Sequence, residues 1–210
     1  MILIMIGFMN NSMTTFYLIR HGQKEKIKGD PFLTDLGKEQ AEKTGVYLED
    51  KNIKAVYSSN YNRTQETSQI INKFLKLEII FDEKLRERAN WGDVENQSFD
   101  VFLIEWYDAS KNRWLSKYGR TTSHLSGENL RNLIINLSKK YNDSNIVIVT
   151  HGGVIADFLR NVLSPKFIQN LIKDDPYLLD SYIKECSVTK ILFNNNKFEL
   201  IDFANQKHLL

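Results

Sequence analysis

Residues 16–23 read FYLIRHGQ, an apolar run that ends in an arginine, a histidine and a glycine. Aromatic and β-branched residues in so short a run are typical of a fully buried parallel strand. Ligands of open α/β sheets bind beyond the carboxyl ends of the strands, so Arg20 and His21 are expected to face a cleft. On its own, this pair is equally compatible with a solvated pair on the surface.

The same kind of ending occurs again further along the chain. Residues 145–153 read NIVIVTHGG, a second apolar strand that places His151 before Gly152. A third apolar run, IKAVY, leads into a polar helix start that carries Arg63. Three strand ends therefore direct His21, Arg63 and His151 toward one edge of a sheet.

Strand-like and helix-like segments alternate along the rest of the chain, without internal repeats. This alternation is typical of βαβ units and predicts an α/β fold, a three-layer α/β/α sandwich with a mostly parallel central sheet and helices on both faces. A chain of 210 residues with 42% hydrophobic residues can bury the core of one domain. We expect that domain to span residues 14–210.

Two helices of the predicted fold have distinctive patterns. The first begins after Thr34, which can cap it, and its apolar stripe is weakened by Gly37 and Gly45. The residues of that stripe are Leu36, Ala41, Val46 and Leu48. The second lies within residues 98–118 and carries the rings of Phe99, Phe102, Trp106 and Trp114. Most of these rings are expected to pack on the sheet, and one or two to line a pocket.

The overall charge and the cysteine content limit the choice of partners and compartment. A net charge of +2 at pH 7 gives no field that favours nucleic acid or an anionic membrane surface. The single cysteine, Cys186, cannot form an intrachain disulfide and is expected to be a buried thiol. These features predict a cytoplasmic protein without nucleic-acid or membrane partners. The sequence leaves open whether it is a monomer or a homodimer.

Three other kinds of phosphate chemistry are disfavoured by the sequence. A thiolate phosphatase needs an arginine that closes a short loop after its cysteine, whereas the sixth residue after Cys186 is Leu192. No GxxxxGK(S/T) pattern occurs, so the phosphate loop of nucleoside triphosphatases is absent. The four histidines show neither HxH nor HExxH spacing, and we expect no metal ion and no other cofactor.

All four methionines of the chain, Met1, Met5, Met9 and Met13, lie in its first 13 residues. The apolar segment MILIMIGF has no basic region before it and is far shorter than the roughly 20 residues of a membrane span. We interpret residues 1–13 as an N-terminal extension and expect Met13 to be the native start.

Several motifs together resemble those of a known family. They are RHG at residues 20–22, YSSNYNRTQET at 57–67, LRER at 85–88 before a Trp-Gly pair, SGE at 126–128 and VTHGG at 149–153. In this combination they resemble the histidine phosphatase superfamily, which includes the cofactor-dependent phosphoglycerate mutases. The resemblance runs from about residue 14 to the end of the chain.

The resemblance implies a metal-independent phosphomonoester hydrolase that acts through a phosphohistidine intermediate on a small phosphorylated metabolite. His21 corresponds to the nucleophile, and a neutral imidazole suits that role near pH 7. Glu87 corresponds to the general acid, and His151 is a further catalytic residue. The implied phosphate-binding residues are Arg20, Arg63, His151 and Gly152. The resemblance also implies that residues 88–144 include a lid over the substrate.

Alternatives to hydrolysis stay open at this point. Phosphoglycerate mutase-type phosphoryl transfer uses the same residues, but the loop after RHG is short and lacks the asparagine that mutases place there. A noncatalytic phosphate-binding module usually lacks the nucleophile or one arginine, and both are present here. Glu87 lies between Arg86 and Arg88, and is by itself compatible with a surface ion pair.

Overall fold

The computed structural model describes residues 13–116 and 121–210. Met1, Met5 and Met9 of the expected N-terminal extension lie outside the described residues. No helix within these two stretches is both long enough and apolar enough to cross a membrane.

Six strands form one sheet in the order β3-β2-β4-β1-β5-β6. They are β1 (Met13–Arg20), β2 (Ile53–Ser58), β3 (Ile79–Phe81), β4 (Asn145–Thr150), β5 (Val188–Asn194) and β6 (Lys197–Asn205). Within the group β1 to β4, adjacent strands are parallel to each other. By contrast, β5 is antiparallel to β1, and β6 is antiparallel to β5. The mostly parallel sheet predicted from the sequence is confirmed.

Helices cover both faces of this sheet. The described residues form α1 (Asp35–Glu49), α2 (Asn62–Leu75), α3 (Phe99–Lys111), α4 (Ser123–Lys140), α5 (Gly152–Val162), α6 (Pro165–Ile172) and α7 (Leu179–Tyr182). Successive side chains of a strand point to opposite faces of the sheet. In β1, Phe16 and Leu18 therefore join the core cluster of α4 and α5. Tyr17 and Ile19 join the cluster of α1 and α2, which confirms the three-layer sandwich.

Helix α1 begins as predicted but turns a different face to the core. The Thr34 side chain accepts a hydrogen bond from the Gly37 amide and caps the helix. Of the predicted stripe, Ala41 and Leu48 are buried. The other two members of the stripe, Leu36 (49% exposed) and Val46 (57% exposed), face solvent, so this part of the prediction is wrong.

The inward face of α1 contains its two glycines, because neighbouring groups approach the helix too closely for side chains. A β carbon on Gly37 would lie 2.1 Å from the carbonyl oxygen of Gln23, just after the Arg-His-Gly motif. A β carbon on Gly45 would lie 2.3 Å from the Phe74 ring of α2. The glycines thus bring α1 against both α2 and the loop that follows β1.

The carboxyl ends of β1, β2 and β4 meet at one edge of the sheet. Hydrogen bonds hold the chain together just beyond these strands, where the His21 amide donates to the Thr150 carbonyl (2.9 Å). The Ser59 amide likewise donates to the Val149 carbonyl (3.0 Å). The residues that follow the three strands are therefore fixed next to one another.

Cys186 is fully buried, as the sequence predicts, and burial raises the pKa of its thiol to about 12. Its backbone amide donates to the carbonyl oxygens of Arg20 (3.0 Å) and His21 (3.2 Å). The thiol therefore stays protonated at neutral pH, and the backbone of Cys186 fixes the end of β1.

Candidate active site

A cleft of about 290 Å³ opens at this edge of the sheet. Five of the residues predicted from the sequence line it, namely Arg20, His21, Arg63, Glu87 and Gly152. The sixth, His151, is fully buried beside them, with its ring centroid 5.2 Å from that of His21. The structure thus brings all six predicted site residues together, although they come from distant parts of the chain.

The His21 ring is held in one orientation by its own loop. Its Nδ1 atom lies 2.8 Å from the Gly22 carbonyl oxygen, which can only accept a hydrogen bond. Nδ1 therefore carries the ring proton. Burial, reinforced by the positive charges of Arg63 and Arg20, holds the pKa of His21 well below its usual range. The ring is neutral at pH 7, and its lone pair is on Nε2.

Arg63, at the start of α2, uses three nitrogen atoms for three different contacts. Its Nε donates to Nε2 of His21 over 3.3 Å. Its Nη1 donates to Asp30 (3.0 Å) and its Nη2 to the Asn90 side-chain oxygen (2.8 Å). Asp30 and Asn90 thereby fix the plane of a buried guanidinium against Nε2 of His21.

Arg20, at the end of β1, is anchored from the opposite side. Its Nη1 donates to the Ile183 carbonyl (2.6 Å), and its Nη2 forms an ion pair with Glu185 (2.6 Å). Its Nε is buried and has no hydrogen-bond partner among residues 13–116 and 121–210. A β carbon on Gly152 would lie 3.5 Å from Nη1 of Arg20, so this guanidinium lies beside the first turn of α5.

His151 directly follows β4 and contacts both His21 and Ser59. Its Nε2 lies 3.0 Å from the Ser59 hydroxyl, while its Nδ1 is buried without a partner in the described part of the chain. Burial, together with the charge of Arg63, holds the pKa of His151 well below its usual range. A buried polar atom without a partner, next to two guanidinium groups, is suited to a bound anion.

Glu87 lies at the cleft rather than in a surface ion pair. Its two carboxyl oxygens accept hydrogen bonds from the amides of Arg88 and Gly153, both over 3.2 Å. Burial raises the pKa of Glu87 to about 7, even though the nearby charges of Arg88 and Arg63 act in the opposite direction. A carboxyl group with such a pKa can both give and take a proton near neutral pH.

The far wall of the cleft is aromatic and belongs largely to α3. Phe99, Phe102 and Trp106 of this helix line the cleft, and Trp91 joins them. More rings of the predicted helix thus face the pocket than the one or two expected. Trp114 is instead 73% exposed, and its ring stacks on that of His124.

Several residues that complete the site were not predicted. They are Asp30 and Asn90, which hold Arg63; Glu185, which holds Arg20; Ser59, which contacts His151; and Asp180, which lines the cleft. Ser59 had a usable signal, since it directly follows an apolar strand that ends at the same edge. Asp180 lies in the short helix α7 and the others lie in loops, and no sequence pattern marks any of them.

No group of three or more histidine, cysteine, aspartate or glutamate side chains suited to a metal ion occurs within the described ranges. The residues that could hold a ligand are the cationic and aromatic groups of the cleft. Lys24 adds another positive charge there, and burial lowers its pKa.

Known proteins resemble this chain over about two thirds or more of its length. Phosphatase PhoE of Bacillus subtilis (strain 168), described as uncharacterized, is 26% identical over 204 residues, covering 94% of this chain and 97% of that protein. Phosphoglycerate mutase-like protein 4 of Arabidopsis thaliana is 36% identical over 162 residues, 66% of each chain. A mutant phosphoserine phosphatase from Entamoeba histolytica, in complex with phosphoserine, superposes with a TM-score of 0.69 at 22% identity over 94% of this chain and 100% of that chain.

A family model gives the same result. The model described as the histidine phosphatase superfamily (branch 1) matches residues 16–206, which include every residue of the cleft named above. The chain belongs to the histidine phosphatase superfamily.

Proposed function

We propose that this protein is a metal-independent phosphomonoester hydrolase, which transfers the phosphoryl group of its substrate to His21 and then to water. The observation that carries the proposal is the setting of the His21 ring. Its Nδ1 proton is engaged by the Gly22 carbonyl (2.8 Å), so that the lone pair is on Nε2, beside the Arg63 guanidinium. A nucleophilic nitrogen next to a fixed positive charge suits attack on a phosphoryl group.

In the first step, the lone pair of His21 Nε2 forms a bond to phosphorus while the bond from phosphorus to the alcohol oxygen breaks. The departing oxygen takes a proton from Glu87, whose pKa of about 7 keeps a large protonated fraction at neutral pH. The products of this step are a free alcohol, phosphorylated His21 and ionised Glu87.

In the second step, a water oxygen attacks the phosphorus and the bond from phosphorus to Nε2 breaks. Ionised Glu87 takes the proton that the water loses, which returns the carboxyl group to its starting state. Inorganic phosphate leaves, and His21 is neutral again. One residue therefore serves both steps, with its proton given in the first and recovered in the second.

The remaining groups bind the phosphate oxygens. Arg20 and Arg63 supply fixed positive charge on planar guanidinium groups whose geometry matches that of phosphate. The Nε of Arg20 has no hydrogen-bond partner in the described part of the chain and can donate to a phosphate oxygen. His151 donates through Nδ1 when Ser59 donates to its Nε2. Gly152, in the first turn of α5, adds the positive end of a helix dipole.

The size and lining of the cleft support a small phosphorylated metabolite as the substrate. About 290 Å³ accommodates a phosphate and a small alcohol but no folded macromolecule. The Entamoeba histolytica neighbour holds phosphoserine, which is a ligand of this size. Phosphoglycerate mutase-type transfer remains the alternative, in which a second metabolite replaces water in the second step.

Rapid quenching after incubation with ³²P-labelled phosphoesters tests the mechanism. We expect an acid-labile, base-stable label in the wild type and none in His21→Ala, while His124→Ala, whose ring lies outside the cleft, keeps the label. Release of inorganic phosphate identifies hydrolysis, and a labelled second metabolite identifies mutase activity. Absence of label with every phosphoester, or turnover by His21→Ala at the wild-type rate, would contradict the proposal.

A further inference from the structure

The ring of Trp106 and the carboxyl group of Glu87 lie on the same side of Gly153. A β carbon on Gly153 would lie 2.5 Å from Oε1 of Glu87 and 2.6 Å from both Cη2 and Cζ2 of Trp106. The carboxyl oxygen and the six-membered ring of the indole are therefore neighbours beside the first turn of α5, no more than about 5 Å apart. Only a glycine at position 153 leaves room for this arrangement.

The Trp106 ring is held in place from two other sides. Its Nε1 donates to Asp180 over 2.9 Å, and Asp180 in turn lies 3.7 Å from Arg160. The Arg88 guanidinium lies 3.7 Å from the ring centroid and is fixed by a buried ion pair with Asp157 (2.6 Å). Trp106 is thus a rigid part of the site, although it belongs to α3 at the rim of the cleft.

We propose that Trp106 is a positioning residue for the reaction, and that its ring covers Glu87 and shields the carboxyl group from water. This inference rests on the proposed function, in which Glu87 has to begin each cycle protonated. Helix α3 then serves as a lid with a defined chemical task, because it supplies the apolar surface that the acid needs.

The charges around Glu87 show why such a cover is needed. Arg88 beside it and Arg63 on α2 both favour the ionised carboxylate, as does the Gly153 amide of α5. Asp157 on α5 favours the protonated form, and burial has the largest effect in that direction. Since the cations lie close by, the carboxyl group keeps its proton at neutral pH only while water is excluded from it.

The test measures the pKa of Glu87 directly, by NMR titration of ¹³C-labelled glutamate carboxyl groups, with Glu87→Gln to assign the signal. We expect a pKa of about 7 in the wild type. In Trp106→Ala we expect it to fall below about 6, whereas Trp106→Phe keeps an apolar ring and a pKa near the wild-type value. Trp114→Ala removes an exposed tryptophan that lies outside the cleft, and serves as the matched control.

A kinetic measurement complements the titration. Phenethyl phosphate has a poor leaving group that needs a proton, whereas the leaving group of p-nitrophenyl phosphate needs none. At pH 7.5, Trp106→Ala should lower kcat/KM about tenfold more for phenethyl phosphate than for p-nitrophenyl phosphate. Trp106→Gln provides a second substitution, polar and larger than alanine, in case the alanine variant does not fold.

The two proposals can fail separately. An unchanged Glu87 pKa in folded Trp106→Ala or Trp106→Gln would overturn the role of Trp106, whatever the activity. If the Glu87 pKa is lowered in the variant but the enzyme never becomes phosphorylated on His21, the role of Trp106 is supported and the proposed function is contradicted.

Discussion

Arg63 combines three tasks in one planar group. It contacts Nε2 of His21, carries a fixed charge into the cleft, and is held in place by Asp30 and Asn90. A lysine has the same charge but only one nitrogen, so it cannot make these contacts at once. The geometry of the guanidinium, more than its charge, therefore determines what this position contributes.

Arg63→Lys should consequently lower kcat/KM by at least about 100-fold, with a higher KM and a lower kcat, since the fork acts on both the bound phosphate and the transition state. Steady-state kinetics with phenethyl phosphate measure this effect. Arg86→Lys is the matched control, because Arg86 is exposed and its Nε donates to Asn60, outside the cleft. Activity of Arg63→Lys within threefold of the wild type would show that charge alone is sufficient.

At the scale of elements, a buried ionic network joins α5 to its neighbours behind the cleft. Asp157 on α5 accepts from Arg88 (2.6 Å), from Arg160 (3.1 Å) and from the Ser123 hydroxyl of α4 (2.6 Å). Arg88 also donates to Ser110 of α3. This network connects α3 to two helices that pack on the sheet, and one carboxylate forms ion pairs with two buried arginines.

Asp157→Ala should lower the free energy of unfolding by about 3–5 kcal/mol, because it removes the ion-pair partner of the buried Arg88 and leaves Arg160 with only the more distant Asp180. Urea unfolding measures this loss. Glu39→Ala removes the surface pair with Lys43 and should leave the midpoint almost unchanged. A small effect of Asp157→Ala would mean that water reaches Arg88 and Arg160 in the variant.

Under the proposed function, helix α3 is expected to influence which alcohol fits beside the phosphate. The indole N–H groups of the cleft are already engaged, Trp91 with the Gln97 carbonyl (3.1 Å) and Trp106 with Asp180 (2.9 Å). These two residues therefore contact a leaving group through the faces of their rings. Such a surface favours an apolar alcohol over one with several hydroxyl groups, which would lose hydrogen bonds to water.

Phenethyl phosphate should accordingly have a higher kcat/KM than glycerol phosphate, although both release poor leaving groups. Phe102→Ala should reduce this ratio about tenfold by removing part of the ring surface. The exposed Phe32, at 61% exposure, provides the control Phe32→Ala. Equal kcat/KM values for the two phosphates in the wild type would contradict this view of the aromatic wall.

The success of sequence-based prediction differed between these elements for physical reasons. Apolar runs that end in Arg-His-Gly and His-Gly-Gly predicted the strand ends correctly, since parallel strands of one sheet share an edge. The stripe of α1 was mispredicted because close packing selected Gly37 and Gly45 for the inward face. The anchor of Arg20 could not be found, since Glu185 lies 165 residues away in a loop without a pattern.

For the whole molecule, the cleft links stability to pH in two opposing ways. His21 and His151 have lowered pKa values in the folded state, so the unfolded chain binds more protons there, and stability falls as the pH drops below about 6.5. Glu87 has a raised pKa of about 7, so its contribution is fully present below about pH 4.5 and is lost as the pH rises through 7.

Between pH 5 and 6, each of these groups should change the slope of unfolding free energy against pH by up to about 1.4 kcal/mol per pH unit. His21→Asn removes a group that binds its proton only when unfolded, so the slope should become less positive by that amount. Glu87→Gln removes a group that holds its proton only when folded, so the slope should become more positive by a similar amount. Urea unfolding at pH 5.0, 5.5 and 6.0 measures both changes, and each variant serves as the control for the other. An unchanged slope in His21→Asn would mean that His21 is protonated in the folded protein and is unable to act as the nucleophile at these pH values.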